Sequence, residues 1–142
     1  MNFQDPSTLV ESVGAMLSEP GVFEIAVEEL AKGSRHVHIH PRTVAVTRDV
    51  LPRTEARIEI TGTGRFILRL DGVMSLEEIY DHDDDGILGI LSDFCAVAVR
   101  YLEGAGTISS RVARRGTRQV SIVLDVGDDG YLLEGRLPKP PR

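Results

Sequence analysis

The stretch from Gly86 to Leu102 constrains the fold of this chain more than any other. Its strongly polar side chains are Ser92, Asp93 and Arg100, and Asp93 and Arg100, seven residues apart, fall on one narrow stripe of a helix. Such a helix must be covered on nearly every side. It is too short and too interrupted by charge to span a bilayer, and Gly104 is a suitable stop. We therefore read 86–102 as a central core helix, and the rest of the chain has to supply its cover.

Most of that cover reads as strand. From Ser34 to Leu70 the apolar period is two: Val37 and Ile39 alternate with His36, His38 and His40, and after Pro41 come Val44 and Val46, then Ala56, Ile58 and Ile60. Gly62-Thr63-Gly64 marks a hairpin turn into Phe66, Leu68 and Leu70. A second meander runs from Ile108 to Leu137, with turns at Arg115-Gly116-Thr117 and Asp128-Asp129-Gly130. Residues 5–33 instead read as helix, one kinked or two short. Asp5-Pro6 suits an N-cap with proline at N1, Leu9, Val13, Met16 and Leu17 recur at helical spacing, and Phe23, Val27 and Leu30 resume the pattern beyond Pro20-Gly21. Ser75-Leu76-Glu77-Glu78 has the spacing of a capping box and predicts a brief helical turn.

The expected fold is therefore α+β in the order α-β-β-β-α-β-β-β: an N-terminal helical segment, an antiparallel sheet of about six strands and one buried helix. No repeat at a fixed period is visible, although the two halves share a helix-then-strands order. With 142 residues, 42% of them hydrophobic, the chain suits one domain, 1–137, followed by a flexible proline-rich tail, 138–142. A single cysteine, Cys95, leaves no internal disulfide and no zinc ribbon. Met1 to Asp5 has no basic n-region of a signal peptide, so a cytoplasmic location and no membrane association are expected.

Charge is segregated. Residues 70–105 hold nine acidic residues and one basic, whereas residues 35–69 hold seven basic and three acidic. The acidic residues concentrate at Glu77, Glu78, Asp81, Asp83, Asp84 and Asp85. The net charge of −6 and seven aromatic residues, none of them tryptophan, argue against nucleic acid as a partner despite Arg111, Arg114, Arg115 and Arg118 around one turn.

Two short motifs bear on chemistry. In His36-Val37-His38-Ile39-His40, alternate histidines face one way about 6.5 Å apart, a span two imidazoles can bridge to zinc; His36 and His40, about 13 Å apart, cannot share one ion easily. With Pro41-Arg42 following, the run also resembles the motif of the histidine-triad nucleotide hydrolases, which implies His38 as a nucleophile toward phosphate, although Pro41 falls where that family's strand continues. Asp81-His82-Asp83-Asp84-Asp85-Gly86 resembles the first half of an EF-hand loop, which implies calcium held by Asp81, Asp83, Asp85 and the Ile87 carbonyl. Ser92 stands where the twelfth-position glutamate is needed. The competing reading is that Asp84 or Asp85 caps the core helix and the other carboxylates favour its positive end.

Cys95, between Phe94 and Ala96, reads as a structural thiol, and Ser109-Ser110 lacks a nucleophile elbow. The expected function is a non-catalytic protein-binding domain needing no cofactor. Its acidic segment (Glu77, Glu78, Asp81, Asp83, Asp84, Asp85) would dock a basic protein, as toxin-neutralising immunity proteins or regulatory domains do. The alternatives are a metal-dependent or phosphate-handling enzyme using the histidine strand, with zinc, and a calcium-binding module.

Overall fold

The computed structural model describes residues 5–17, 22–44, 50–80 and 83–137. Asp5 and Pro6 start the first helix as their chemistry requires. The Asp5 carboxylate accepts the Ser7 backbone N–H at 3.2 Å, Pro6 stands in the first turn, and α1 (Pro6–Met16) buries Leu9 and Val13. Leu17 closes that face against the core.

Among the described residues 22–33 the α-helix does not resume. Residues 23–29 form a strand, β1 (Phe23–Glu29), paired antiparallel with β2 (Arg35–Pro41) across a tight turn at Ala31–Gly33. The expectation of helix to Gly33 is thus corrected. Phe23, Ile25 and Val27 alternate with Glu24, Ala26 and Glu28, so the segment carries both periods, and β2 offers a free edge that satisfies the strand's backbone. Lys32 and Gly33 take the left-handed conformation that lets the hairpin close (φ 64° and 77°).

The chain continues through β3 (Ala56–Ile60), β4 (Arg65–Leu70) and β5 (Met74–Ile79). Ser75 to Glu78, expected as a helical turn, is strand. The Asp71-Gly72 turn folds it straight back along β4, and Leu68↔Leu76 and Leu70↔Met74 pair on the apolar face. From β5 the chain enters α2 (Asp84–Leu102) and returns as β6 (Ser109–Val112), β7 (Arg118–Val126) and β8 (Asp129–Leu137). The architecture is mixed α+β with one antiparallel sheet of eight strands, ordered β1-β2-β3-β4-β5-β8-β7-β6, two strands more than expected because β1 and β5 were read as helical. Val44 lies outside every strand, and Val46 and the tail 138–142 fall outside the described residues.

α2 is buried as its composition demands. Ile87, Leu91, Phe94, Cys95, Val97, Ala98, Tyr101 and Leu102 are all covered, by α1 and by strands β2, β3, β4 and β7. Its C-terminal end is held by a wholly buried arginine. Arg53 donates to the carbonyls of Tyr101 (3.0 Å), Ala105 (2.5 Å) and Gly106 (2.9 Å) and lies over the Tyr101 ring. A cation at a helix C-terminus offsets the negative end of the dipole. Asp71 completes the cluster, accepting from the Tyr101 hydroxyl and from the backbone N–H groups of Arg53, Thr54 and Glu55. Among the described residues no helix is long and apolar enough to cross a membrane.

The hairpins at the two sheet edges are built alike. Arg115 and Gly116 turn β6 into β7 with φ of 65° and 77°, matching Lys32 and Gly33. The registers correspond: Glu28↔His36 in one hairpin, Arg111↔Gln119 in the other. The segments Lys32-Gly33-Ser34-Arg35-His36-Val37-His38-Ile39 and Arg115-Gly116-Thr117-Arg118-Gln119-Val120-Ser121-Ile122 agree residue type by residue type except at the outward positions. This short repeat is legible in the sequence, where the reading above found none.

Candidate functional site

Two groupings of chemically able side chains stand on opposite faces of the sheet. On the face away from the helices, β2 turns His36, His38 and His40 outward because Val37 and Ile39 fill the core. Register brings carboxylates to the first two. Glu28 on β1 lies opposite His36, and Glu59 on β3 flanks it from the other side. Glu28 Oε1 stands 3.6 Å from His36 Nδ1 and 3.2 Å from His38 Nε2. The remaining ring nitrogens meet other carboxylates, His36 Nε2 with Glu59 Oε1 at 3.7 Å and His38 Nδ1 with Glu55 Oε1 at 3.0 Å. His40 is directed elsewhere, its Nδ1 3.2 Å from the Thr54 carbonyl. Burial first, with the charges of Arg57 and His38, lowers the His36 pKa from its ordinary value against the opposing charges of Glu59 and Glu28. With carboxylates against both nitrogens of His38, this ring does not present a free nitrogen to a phosphate.

The second grouping lies at the N-terminal half of α2. Glu78 on β5, Tyr80 just beyond that strand, Gly86, Ile90, Asp93 and Phe94 of α2, and Tyr131 on β8 line a cleft of about 320 Å³. Tyr131 donates its hydroxyl to Asp93. That bond, then burial and the charges of Asp93, Asp129 and Glu78, push the phenol up to about 12. Tyr80 donates to Asp83 Oδ2 at 2.8 Å, and Asp83 Oδ1 accepts the Gly86 N–H at 2.6 Å. Gly86 has no room for more: a Cβ there would stand 2.2 Å from the Tyr80 ring. The cleft thus joins two phenol rings to two carboxylates, and no lysine or arginine is among the described residues that line it.

The six acidic residues of the expected docking segment are dispersed. Glu77 points to the opposite face of β5, where Arg65 grips it with two bonds of 2.9 and 2.8 Å. Glu78 faces the cleft, and Asp81 lies outside the described residues. Asp83, rather than Asp84 or Asp85, is the N-cap, and the latter two occupy the first turn of α2, where the dipole favours them. Helix therefore begins where an EF-hand loop would still be turning. Asp85, Gly86 and Ile87 are helical, the Ile87 N–H bonds the Asp83 carbonyl at 3.3 Å, and Asp83 is engaged as the cap. The calcium resemblance does not extend to the backbone. On the far hairpin Arg111 is tied to Gln119 by bonds of 3.0 and 2.7 Å, and Arg114 and Arg115 form the turn itself.

Glu28, Glu55, Glu59, Tyr80, Asp93 and Tyr131 were not named as site residues from sequence. Only Glu28 had a local signal: in a hairpin turning on Lys32-Gly33, residue 28 falls opposite residue 36. No family model, no curated protein and no solved structure matches this chain.

Proposed function

We propose that this chain is a non-catalytic protein-binding domain that receives a basic side chain of its partner in the cleft between β5, α2 and β8. The observation that carries the reading is the pairing of Glu78 and Asp93 with the rings of Tyr80 and Tyr131 in one cleft. A guanidinium or ammonium group entering it would gain two carboxylates and two ring faces. The helix dipole does not ask for this. Asp84 and Asp85 are explained by the helix dipole, whereas Glu78 sits on a strand and Asp93 in the third turn of α2, beyond the dipole's reach. Asp83 to Asp85 then form an acidic rim that speeds encounter with a basic surface. Toxin-neutralising immunity proteins are one class that works in this way.

The test uses an arginine-serine repeat peptide and its glutamine-serine counterpart as probes, with binding followed by fluorescence anisotropy at two salt concentrations. The arginine peptide should bind and weaken with salt, and the glutamine peptide should not bind. Glu78→Gln with Asp93→Asn should weaken the arginine peptide about tenfold or more, the equivalent of about 1.4 kcal/mol. Equal binding by the double variant would remove the cleft from the reading.

A further inference from the structure

We propose that Glu28, His36 and His38 form a binding site for one divalent transition-metal ion of the zinc type, on the sheet face opposite the cleft and independent of the function proposed above. One carboxylate oxygen and one nitrogen from each histidine lie within 4.8 Å of one another. Glu28 Oε1 is 3.2 Å from His38 Nε2 and 3.6 Å from His36 Nδ1. Two ligands about 2.05 Å from a tetrahedral ion stand about 3.3 Å apart, so the two carboxylate–imidazole separations need little adjustment, and the two ring nitrogens, within 4.8 Å of each other, are within reach of one ion. Two imidazoles and a carboxylate suit zinc and its first-row neighbours rather than calcium or magnesium, which take oxygen ligands alone. Glu28 is 54% exposed, so water can complete the shell.

The surroundings are those of a metal-ligating pair. A histidine bound to a metal through one ring nitrogen presents the other to a carboxylate, which fixes the ring. Here Glu55 Oε1 meets His38 Nδ1 at 3.0 Å, and Glu59 Oε1 approaches His36 Nε2 at 3.7 Å. Glu59 is itself anchored. Its other oxygen, Oε2, accepts from Arg57 at 3.1 Å and Arg69 at 2.5 Å, which leaves Oε1 for the histidine.

The matching hairpin shows that the fold does not require this set. Where β1 and β2 place Glu28, His36 and His38, β6 and β7 place Arg111, Gln119 and Ser121 in the same register around the same turn. That hairpin is held by a direct Arg111–Gln119 pair. The same register and turn are built with either set, so they do not by themselves call for two histidines and a carboxylate.

Chelator-treated protein would be titrated with zinc alone by calorimetry and with cobalt alone by visible absorption. One ion per chain is expected. Glu28→Gln and the His36→Gln/His38→Gln pair should each lower affinity by about tenfold or more, Glu59→Gln should lower it less, and His40→Gln should leave it unchanged. Melting of the metal-free variants checks that they fold, and Glu28, on an exposed edge strand, is the change least able to disturb folding. Absence of stoichiometric uptake at micromolar zinc would overturn the proposal, as would wild-type affinity in folded Glu28→Gln protein or loss of binding in His40→Gln.

Discussion

The hydroxyl of Tyr131, on the last strand, donates to the Asp93 carboxylate in the third turn of α2. The bond ties β8 to the helix and holds the phenol protonated up to about 12. Asp93→Asn should return Tyr131 toward the ordinary tyrosine value, as read by ultraviolet titration. The linked stability has a definite sign. A phenol whose folded value is raised contributes stability that is present below its unfolded value and is lost as pH rises from about 10 to about 12. The wild type should lose stability over that interval more steeply than the variant, and parallel curves would show that Asp93 does not hold the proton.

Arg53 and Asp71 bracket Tyr101 beneath the end of α2. Removing Arg53 takes the donor from the Tyr101, Ala105 and Gly106 carbonyls, and removing Asp71 takes the acceptor from the Tyr101 hydroxyl and three backbone N–H groups. Arg53→Met or Asp71→Ala should each lower the unfolding free energy by about 3 kcal/mol in urea denaturation. A loss below about 1 kcal/mol would mean the cluster is solvated in the native state.

Two glycines make a paired test of backbone packing. A Cβ at Gly135 would lie 1.8 Å from the Val73 carbonyl oxygen, where β8 passes the β4–β5 turn, whereas one at Gly89, inside α2, meets nothing within 4 Å. Gly135→Ala should therefore cost several kcal/mol, through displacement of β8 from β5. Gly89→Ala should add about 0.5–1 kcal/mol through helix propensity. Thermal melts of both, compared with the wild type, give the two signs directly.

Cys95 is 4% exposed, and burial pushes its thiol up to about 12. At pH 8 the native protein should react with iodoacetamide on the order of a hundredfold or more slowly than free cysteine, and denaturant should abolish the difference. Rapid native labelling would mean that α2 opens readily.

The parts of the fold legible in the sequence are those whose evidence is local. α2 needed only its own composition, because a helix apolar all round has one place to go. Asp5-Pro6, Gly62 to Gly64 and the alternation from Val120 to Val126 likewise carry their own signals. β1 failed because Phe23, Ile25 and Val27 satisfy a strand while Phe23, Val27 and Leu30 satisfy a helix, and only the free edge of β2 decides between them. Ser75 to Glu78 failed because the spacing of a capping box says nothing about whether a helix follows. The candidate sites depended on register and on distant contacts. Glu28 became a partner of His36 only once β1 was a strand, and Asp93 and Tyr131, 38 residues apart, meet only when β8 returns beside β5. Of the acidic run, sequence found the concentration of charge but not its division between a helix cap, an Arg65 pair and the cleft.

The most direct test of the binding cleft is to follow backbone amide resonances of the labelled protein while the arginine-serine peptide is added. Shifts should concentrate at Glu78, Tyr80, Asp93 and Tyr131, shrink as salt is raised, and vanish in the folded Glu78→Gln/Asp93→Asn variant. Shifts spread evenly over the acidic surface, or centred elsewhere and unchanged in that variant, would contradict it.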